Sequence, residues 1–383
     1  MGRKLLTSLL ALLLVVGTLP KAAAVDLDLK TPSCVLMDAA TGTILYEVNA
    51  HERLAPASVT KVMTMLLVME AIDTGKISWD DKVTASEAAA AKGGSQVYLK
   101  VGETMTVSDM VKAVAVASAN DCACALAEHL AGSEQGFVER MNQRAQELGM
   151  NDTHFVNCTG LDDGAEASDH LTSAYDIAIM SRELLVNHPD IKQYTTIWMD
   201  TLRDGTFGLS NTNKLVRFYE GATGLKTGFT RSAGYCLSAS AERDGLGLIA
   251  VVMGCETSQD RFAACKAMLD YGFANYALVT PETGGGEVSV KLGTEASVQA
   301  VPAENPQLLV EKGQSGSVTT EITLEDEVAA PVSQGQKLGT MTIRVGEQVL
   351  AQVPLVAEKS VPRLTRGELF GLVLKWIAMA KAA

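Results

Sequence analysis

The feature that most constrains this chain is a long apolar stretch with a lysine near its start. The stretch LAPASVTKVMTMLLVMEAID covers residues 54–73, and from Val62 onward its apolar side chains recur at helical spacing. Such a helix is predicted to lie inside a core rather than on a surface. Lysine is rarely buried without a partner, so Lys61 needs a specific interaction. Ser58 precedes it by one helical turn on the same face, where its hydroxyl is within reach of the amine.

The pairing of Ser58 with Lys61 also indicates a chemical role. A serine hydroxyl is a weak nucleophile unless a base removes its proton, and a lysine whose pKa is lowered by burial can be that base. The positive end of a helix favours the same pKa shift and stabilises a developing oxyanion. Taken alone, however, a Ser-x-x-Lys pattern is expected by chance in a chain of this length, as a helix cap followed by an exposed lysine.

The N-terminus indicates export from the cytoplasm. Arg3 and Lys4 precede an apolar run and a small-residue ending at Ala24, which predicts a signal peptide over residues 1–24. Cleavage after Ala24 and retention as an anchor both stay open. The working compartment is therefore expected to be extracytoplasmic.

Composition excludes several classes of partner. A net charge of −13 disfavours nucleic acid, because binding to a phosphate backbone needs clustered Lys and Arg. The seven cysteines are an odd number without Cys-x-x-Cys spacing, which disfavours both a zinc site and a disulfide framework. Most are interpreted as small buried apolar residues. No metal or cofactor is expected.

The pattern of elements predicts two domains, as the length of 383 residues also does. Helical patterns and apolar strands mix up to about residue 278, which predicts an α/β or α+β domain. The helical patterns cover residues 62–74, 107–131, 134–148, 174–187 and 260–273, and the strand candidates are residues 34–45, 234–242 and 246–253. After a Pro- and Gly-rich break at residues 281–286, short alternating stretches predict a small all-β module.

Two further motifs strengthen the chemical reading of Ser58 and Lys61. Ser118-Ala119-Asn120 stands at a break in a helical region, and Lys226-Thr227-Gly228 stands just before a strand pattern. Alone, the first is read as a helix cap and the second as a turn. Together with Ser-x-x-Lys, in this order, they form the signature of serine enzymes that recognise penicillin.

With these motifs the sequence resembles the low-molecular-mass penicillin-binding proteins that are D-alanyl-D-alanine carboxypeptidases. The resemblance extends to the stretches GSQVYLKVGETMTVSDM and FVNCTGLDDGAEASDHLTSAYDIAIMSREL and to the β-rich tail. It implies a β-lactamase/transpeptidase-like α/β (α+β) catalytic domain over residues 25–278 and an all-β domain over residues 284–361. Cys158 stands where related sequences usually carry proline, and Ala119 where glycine is common.

The resemblance also implies a role for each motif residue. Ser58 would attack the carbonyl of a terminal D-Ala-D-Ala bond in a peptidoglycan stem peptide, with Lys61 as base and no cofactor. Ser118 would relay a proton to the leaving amine, and Asn120 would bond Lys61 or the substrate amide. β-Lactams would acylate the same serine.

Substrate binding is expected along the Lys-Thr-Gly strand. Lys226 supplies positive potential, Thr227 donates to the terminal carboxylate, and Gly228 lets an extended peptide approach the strand edge. Arg261 stands 35 residues after Lys226 and is either a carboxylate ligand or a solvated charge at a helix start. The backbone N–H groups of Ser58 and Phe229 are expected to form the oxyanion hole.

His170 is interpreted as structural, before a helix start with Ser173 and Asp176 at capping-box spacing.

Two alternative functions remain at this stage. A β-lactamase of the same fold would need a carboxylate to activate the deacylating water, and Glu147 is the candidate. A catalytically silent cell-wall-binding protein is the rival from another class, and the intact motifs argue against it.

The C-terminal segment, residues 365–383, reads as a membrane anchor. It is strongly apolar from Leu369 to Met379, with cations around that face at Arg366, Lys375 and Lys381. Eleven helical residues reach only about 16 Å against a hydrocarbon core of roughly 30 Å, so the segment is too short to span a bilayer. A helix lying on the outer membrane face is predicted, with packing on the β module as the alternative.

Overall fold

A computed structural model describes residues 26–164 and 167–380. The predicted signal peptide at residues 1–24 and the predicted cation at Lys381 lie outside these residues. The described chain divides after Tyr276 into two compact units. The mixed α/β fold followed by an all-β part, expected from the sequence, is confirmed.

The first unit contains nine strands and nine α-helices within the described residues. The strands are β1 Ser33–Asp38, β2 Ile44–Val48, β3 Lys82–Thr84, β4 Thr104–Thr106, β5 Met199–Leu202, β6 Phe207–Ser210, β7 Ala222–Thr230, β8 Gly234–Arg243 and β9 Leu246–Cys255. The helices are α1 Lys61–Asp73, α2 Glu87–Ala90, α3 Val107–Ala117, α4 Asn120–Ala131, α5 Glu134–Glu147, α6 Ala174–Asn187, α7 Lys192–Thr195, α8 Leu215–Phe218 and α9 Ser258–Asn275.

A five-stranded antiparallel sheet runs through this unit in the order β2-β1-β9-β8-β7. Strands β1, β8 and β9 are almost wholly buried, as their apolar sequences predict. β7 stands at one edge, so one row of its backbone groups faces away from the sheet. This edge strand carries the Lys-Thr-Gly motif.

Helix α1 is the centre of the core, as its sequence predicts. Nine of its thirteen residues are buried, among them Lys61, Met63 and Leu66. A short 3-10 helix, Ala57–Thr60, leads directly into α1 and contains Ser58. The serine therefore lies at the point where the chain enters the core.

Hydrogen-bonded side chains fix where the larger helices begin. Thr106, Ser133, Ser173 and Thr257 each accept a hydrogen bond from a backbone N–H in the first turn of the following helix. The predicted helix start at Ser173 is confirmed, since its hydroxyl accepts from the N–H of Asp176.

The prediction of one strand over residues 34–45 is wrong, because the chain reverses within it. The carboxylate of Asp38 accepts hydrogen bonds from the N–H and the hydroxyl of Thr41, and Gly42 has a φ of 75°. These local bonds hold a tight turn between β1 and β2, which then pair antiparallel.

Apart from a short 3-10 helix at Lys312–Ser317, the described part of the second unit is all-β before its final helix. Its strands are β10 Tyr276–Val279, β11 Gly286–Lys291, β12 Ser297–Pro302, β13 Leu308–Glu311, β14 Val318–Leu324, β15 Glu327–Ala329, β16 Lys337–Val345 and β17 Gln348–Ala357. Six of them form a sheet in the order β14-β16-β17-β12-β11-β15, and β10 pairs with β13. Val288, Leu338, Met341 and Leu355 lie in its apolar core.

Helix α10, Arg366–Ala380, ends the described chain. The hydroxyl of Thr365 accepts from the N–H of Glu368, whose carboxylate accepts from the N–H of Thr365, so a capping box begins this helix. Over the described residues, none of the helices has the length and apolarity needed to cross a bilayer.

Candidate active site

Ser58 and Lys61 meet as the sequence predicts. The Nζ atom of Lys61 lies 2.9 Å from the Oγ atom of Ser58. Lys61 is completely buried, whereas Ser58 is half-buried and stays accessible. The arrangement joins a reachable hydroxyl to an amine that is shielded from water.

A backbone carbonyl is the second partner of Lys61. Nζ donates to the carbonyl oxygen of Thr159 at 2.7 Å. The side chain of Asn157 shapes this loop, because its Oδ1 accepts from the N–H groups of Thr159 and Gly160. With one N–H engaged by Thr159, the amine can direct its lone pair at Ser58 when it is neutral.

Burial lowers the pKa of Lys61 to about 7. The charges of Cys158 and Asp121 act in the opposite direction, since negative charge nearby favours the ammonium form. A lysine with this pKa is substantially neutral at neutral pH and can accept a proton from the hydroxyl.

Ser118 and Asn120 lie on opposite sides of the break between α3 and α4. Ser118 adopts the left-handed conformation, with φ 64° and ψ 30°, and thereby ends α3. Asn120 begins α4, and its Nδ2 donates to the carbonyl of Gly93 at 2.8 Å. Its Oδ1 is buried and has no hydrogen-bond partner among the described residues. This unpaired acceptor matches an N–H group of an entering peptide.

Lys226 and Thr227 lie on the edge strand β7, and both are buried. The Nζ of Lys226 donates to the carbonyl of Thr227 at 2.9 Å, and the hydroxyl of Thr227 donates to that of Thr212 at 2.7 Å. Burial lowers the pKa of Lys226 well below its usual value, and the charges of Lys61 and Arg261 lower it further. Thr212 was not predicted.

Gly228 is required by the closeness of β7 to the segment that holds Ser58. A Cβ atom at this position would lie 2.6 Å from the carbonyl oxygen of Pro56 and 3.1 Å from the backbone nitrogen of Ser58. Both contacts are with backbone, which has little freedom to move. The absence of a side chain therefore also keeps the Ser58 N–H uncovered from this side.

Arg261 is buried, so its interpretation as a solvated helix-start charge is wrong. Its Nη1 donates to the carbonyl of Gly228 at 2.9 Å, and its guanidinium lies over the ring of Tyr235. Its Nε has no hydrogen-bond partner among the described residues. Arg261 thus places positive charge behind the Lys-Thr-Gly strand.

The side chain of Phe229 is half exposed and stacks on Tyr235, with ring centroids 4.3 Å apart. The residue pairs with Tyr235 across β7 and β8. The same rings line an open groove of about 700 Å³, together with Arg231 and Ser232. The role predicted for Phe229 belongs to its backbone N–H, so it stays a prediction that the side-chain contacts do not test.

His170 lies just behind Ser58 and is buried. Its Nε2 is 2.7 Å from the hydroxyl of Thr60, and its Nδ1 accepts from the N–H of Val156. Neither ring nitrogen of His170 is hydrogen-bonded to Ser58, so the histidine takes no part in a Ser-His pair.

Glu147, the carboxylate that the β-lactamase alternative proposes, forms no hydrogen bond with Ser58 or Lys61 among the described residues. Glu147 ends α5, is largely exposed, and bonds Gln143 and Arg144.

All seven cysteines are buried free thiols. Among the described residues one group could in principle hold a metal, Glu70, Glu183 and His188, but Arg144 already forms ion pairs with both carboxylates.

Comparison with protein families gives two matches that together span most of the chain. Residues 20–257 match the family model described as D-alanyl-D-alanine carboxypeptidase, and residues 273–363 match the model described as penicillin-binding protein 5, C-terminal domain. The first model alone covers more than half of the chain.

Individual relatives agree with these matches. The chain is 42% identical to the D-alanyl-D-alanine carboxypeptidase DacF of Bacillus subtilis, over 94% of this chain and 95% of that protein. It is 32% identical to DacC of Escherichia coli, over 94% and 92%. The crystal structure of penicillin binding protein 5 from Haemophilus influenzae superposes with a TM-score of 0.75 at 30% identity, covering 91% of this chain and 100% of that one.

A smaller relative has been solved with an antibiotic bound. Penicillin-binding protein D2 from Listeria monocytogenes, in its ampicillin-bound form, aligns with a TM-score of 0.59 at 33% identity. The alignment covers 65% of this chain and 100% of that one.

We expect Gly228→Ala to slow acylation of Ser58 about 100-fold, because a displacement of about 1 Å at a reacting group costs this much. The added methyl group must push β7 away from Pro56 and Ser58. Acylation by a thioester donor, followed by mass spectrometry, measures the rate. Gly208→Ala on β6 is the matched control, because a Cβ there meets nothing within 4 Å. Equal rates for the two variants would show that the closeness of β7 is unimportant.

Proposed function

Since the chain belongs to the D-alanyl-D-alanine carboxypeptidase family and is a serine-type D-Ala-D-Ala carboxypeptidase, we propose that Ser58 is its nucleophile and Lys61 its general base. The single observation that carries this proposal is the 2.9 Å contact between Nζ of Lys61 and Oγ of Ser58. It joins an accessible hydroxyl to a buried amine whose pKa is lowered to about 7.

The reaction proceeds in two half-reactions. Ser58 Oγ attacks the carbonyl carbon of the terminal D-Ala-D-Ala bond while its proton passes to Lys61. The carbonyl electrons form an oxyanion that the N–H groups of Ser58 and Phe229 stabilise. The C–N bond then breaks, and Ser118 relays a proton to the departing amine of D-alanine. Water hydrolyses the resulting ester and restores the Ser58 hydroxyl.

The substrate binds as an extra strand along β7. Its terminal carboxylate is held by Thr227 and by Lys226, whose ammonium form the bound carboxylate itself favours against the effect of burial, with Arg261 adding charge from behind Gly228. The unpaired Oδ1 of Asn120 accepts a peptide N–H from the other side of the cleft. Peptidoglycan stem pentapeptides, which end in D-Ala-D-Ala, supply both groups.

β-Lactams acylate Ser58 in the same way. The ampicillin-bound form of the Listeria relative supports this proposal, because it aligns with 65% of this chain at 33% identity. Glu147 is exposed and paired with Arg144, so it does not reach the ester between Ser58 and the antibiotic to activate a water molecule there. This supports slow release of the bound antibiotic.

The variant Ser58→Ala should abolish covalent labelling by fluorescent penicillin and D-alanine release from an N-acylated D-Ala-D-Ala peptide. The hydroxyl oxygen that forms the ester is missing in this variant. Labelled gels and a D-alanine assay provide the measurements, with Ser232→Ala, in the nearby groove, as the control that keeps both activities. Labelling of Ser58→Ala would exclude this nucleophile, and fast nitrocefin hydrolysis without D-alanine release would favour a β-lactamase.

The pH profile of kcat/KM should rise through an apparent pKa near 7. Lys61 accepts the serine proton only as the neutral amine, which predominates above its lowered pKa of about 7. Steady-state rates between about pH 5 and about pH 9 provide the test. Lys61→Arg, which stays cationic, is expected to be inactive throughout this range. A flat profile would remove Lys61 from the role of base.

We further propose that the protein works outside the cytoplasmic membrane and is held at its outer face by α10. Six large apolar side chains of this helix are exposed: Leu369, Phe370, Leu372, Val373, Leu374 and Ile377. They cover a wide face of a helix about 22 Å long, suited to lying in the lipid interface.

Deletion of residues 365–383 should release the mature protein from anionic vesicles without changing D-alanine release from a soluble peptide. The truncated chain ends at Leu364, whose N–H still donates to the carbonyl of Leu292. The deletion therefore leaves this backbone hydrogen bond of the β unit in place. Vesicle flotation measures binding, and Leu372→Glu with Ile377→Glu tests the apolar face at full length. Flotation of the truncated protein would place the anchor elsewhere.

A further inference from the structure

A chain of three hydrogen bonds ends on the carbonyl of Ala57, directly before the proposed nucleophile. The N–H of Val156 donates to Nδ1 of His170 at 3.1 Å. Nε2 of His170 lies 2.7 Å from the hydroxyl of Thr60, and this hydroxyl donates to the carbonyl of Ala57 at 2.8 Å. Both side chains in the chain are buried.

The protonation of His170 follows from these partners. Nδ1 accepts a backbone N–H, so it carries no proton. Burial, together with the charges of His154 and Lys61, lowers the pKa of His170 to about 4, so the ring is neutral at working pH. A neutral imidazole without a proton on Nδ1 carries it on Nε2. Nε2 therefore donates to Thr60, whose own proton is left for the carbonyl of Ala57.

The carbonyl of Ala57 and the N–H of Ser58 belong to one planar peptide group and point in opposite directions. Fixing the direction of the carbonyl therefore fixes the direction of the N–H. A hydrogen bond to the carbonyl also polarises the peptide and strengthens its N–H as a donor, because bonds in a chain reinforce each other.

The packing around this peptide shows the same constraint. Ala57 has a φ of 48°, in the left-handed region. On the loop that also binds Lys61, a Cβ at Gly160 would lie 1.8 Å from the carbonyl oxygen of Ala57 and 2.7 Å from Oγ1 of Thr60. On the other side, Gly228 leaves the nitrogen of Ser58 uncovered. The peptide is thus held on its carbonyl side and open on its N–H side.

We propose that His170 and Thr60 are positioning residues for the oxyanion hole, which orient and polarise the Ala57–Ser58 peptide through the carbonyl of Ala57. The inference rests on the proposed function, in which the N–H of Ser58 stabilises the oxyanion. It replaces the purely structural interpretation of His170. Neither residue touches the substrate, and both act through the peptide that does.

Thr60→Val and Thr60→Ser form the central test. Valine keeps the shape of threonine and loses the hydroxyl, whereas serine keeps the hydroxyl. Acylation by penicillin is separated into the dissociation constant of the initial complex and the limiting acylation rate. Loss of an oxyanion-hole donor costs about 100- to 1,000-fold in rate, so loss of its orientation should cost about 10- to 100-fold. The initial dissociation constant should change by less than about twofold, because the oxyanion has not yet formed.

Thr60→Ser should acylate at the wild-type rate. A boronic acid that forms a tetrahedral adduct with Ser58 should lose affinity for Thr60→Val by the same factor as the acylation rate, because its oxygen occupies the oxyanion hole. The 15N chemical shift of the Ser58 amide should move in Thr60→Val and not in Thr60→Ser, since it responds to the bond on the preceding carbonyl.

His170→Gln and His170→Leu test the same hydrogen-bond chain at His170. This pair replaces the central test if Thr60→Val does not fold. Glutamine offers an N–H donor to Thr60, whereas leucine offers none, so the acylation rate should fall more in His170→Leu. An unchanged limiting rate in folded Thr60→Val, or equal rates for the two His170 variants, would overturn the inference while leaving Ser58 as nucleophile. Wild-type protein that is not acylated at Ser58 would instead overturn the proposed function.

Discussion

The rest of this site depends on the burial of one amine. Lys61 loses its hydration when α1 enters the core. This loss lowers the pKa of Lys61, so that much of the amine is neutral at neutral pH. A buried amine still needs hydrogen-bond partners, and the structure provides two: the hydroxyl of Ser58 and the carbonyl of Thr159. The same desolvation that costs stability thus creates the proposed base, and the core around α1 must be extensive enough to sustain it.

Segments distant in the sequence cooperate to maintain this environment. The loop that contains Thr159 also packs Gly160 against the peptide before Ser58, so one loop constrains both Lys61 and Ser58. Strand β7 closes the opposite side at Gly228. A change in any of these backbone contacts alters the relative position of Ser58 and Lys61, which explains why two glycines lie within contact distance of the segment that holds Ser58.

Much of this arrangement could be predicted from the sequence, because it depends on the identity of side chains. The buried lysine, the serine one turn before it and the break at Ser118 all leave clear patterns. Partners that are backbone atoms leave none, so the carbonyl of Thr159 was not predicted. Thr212 was missed since one threonine in a loop resembles any other. The turn after Asp38 did leave a signal, in Asp38 and Gly42, which the apolar residues on either side obscured.

The position of β7 at the edge of the five-stranded sheet also favours self-association of the protein. Most proteins protect such an edge with a bulge, a proline or a covering loop, because an open edge can pair with a neighbouring molecule. The proposed binding of the substrate as an added strand requires the same edge to stay open. Solubility at high concentration is then in competition with access for the substrate, and the exposed ring of Phe229 near the end of β7 increases the risk of self-association.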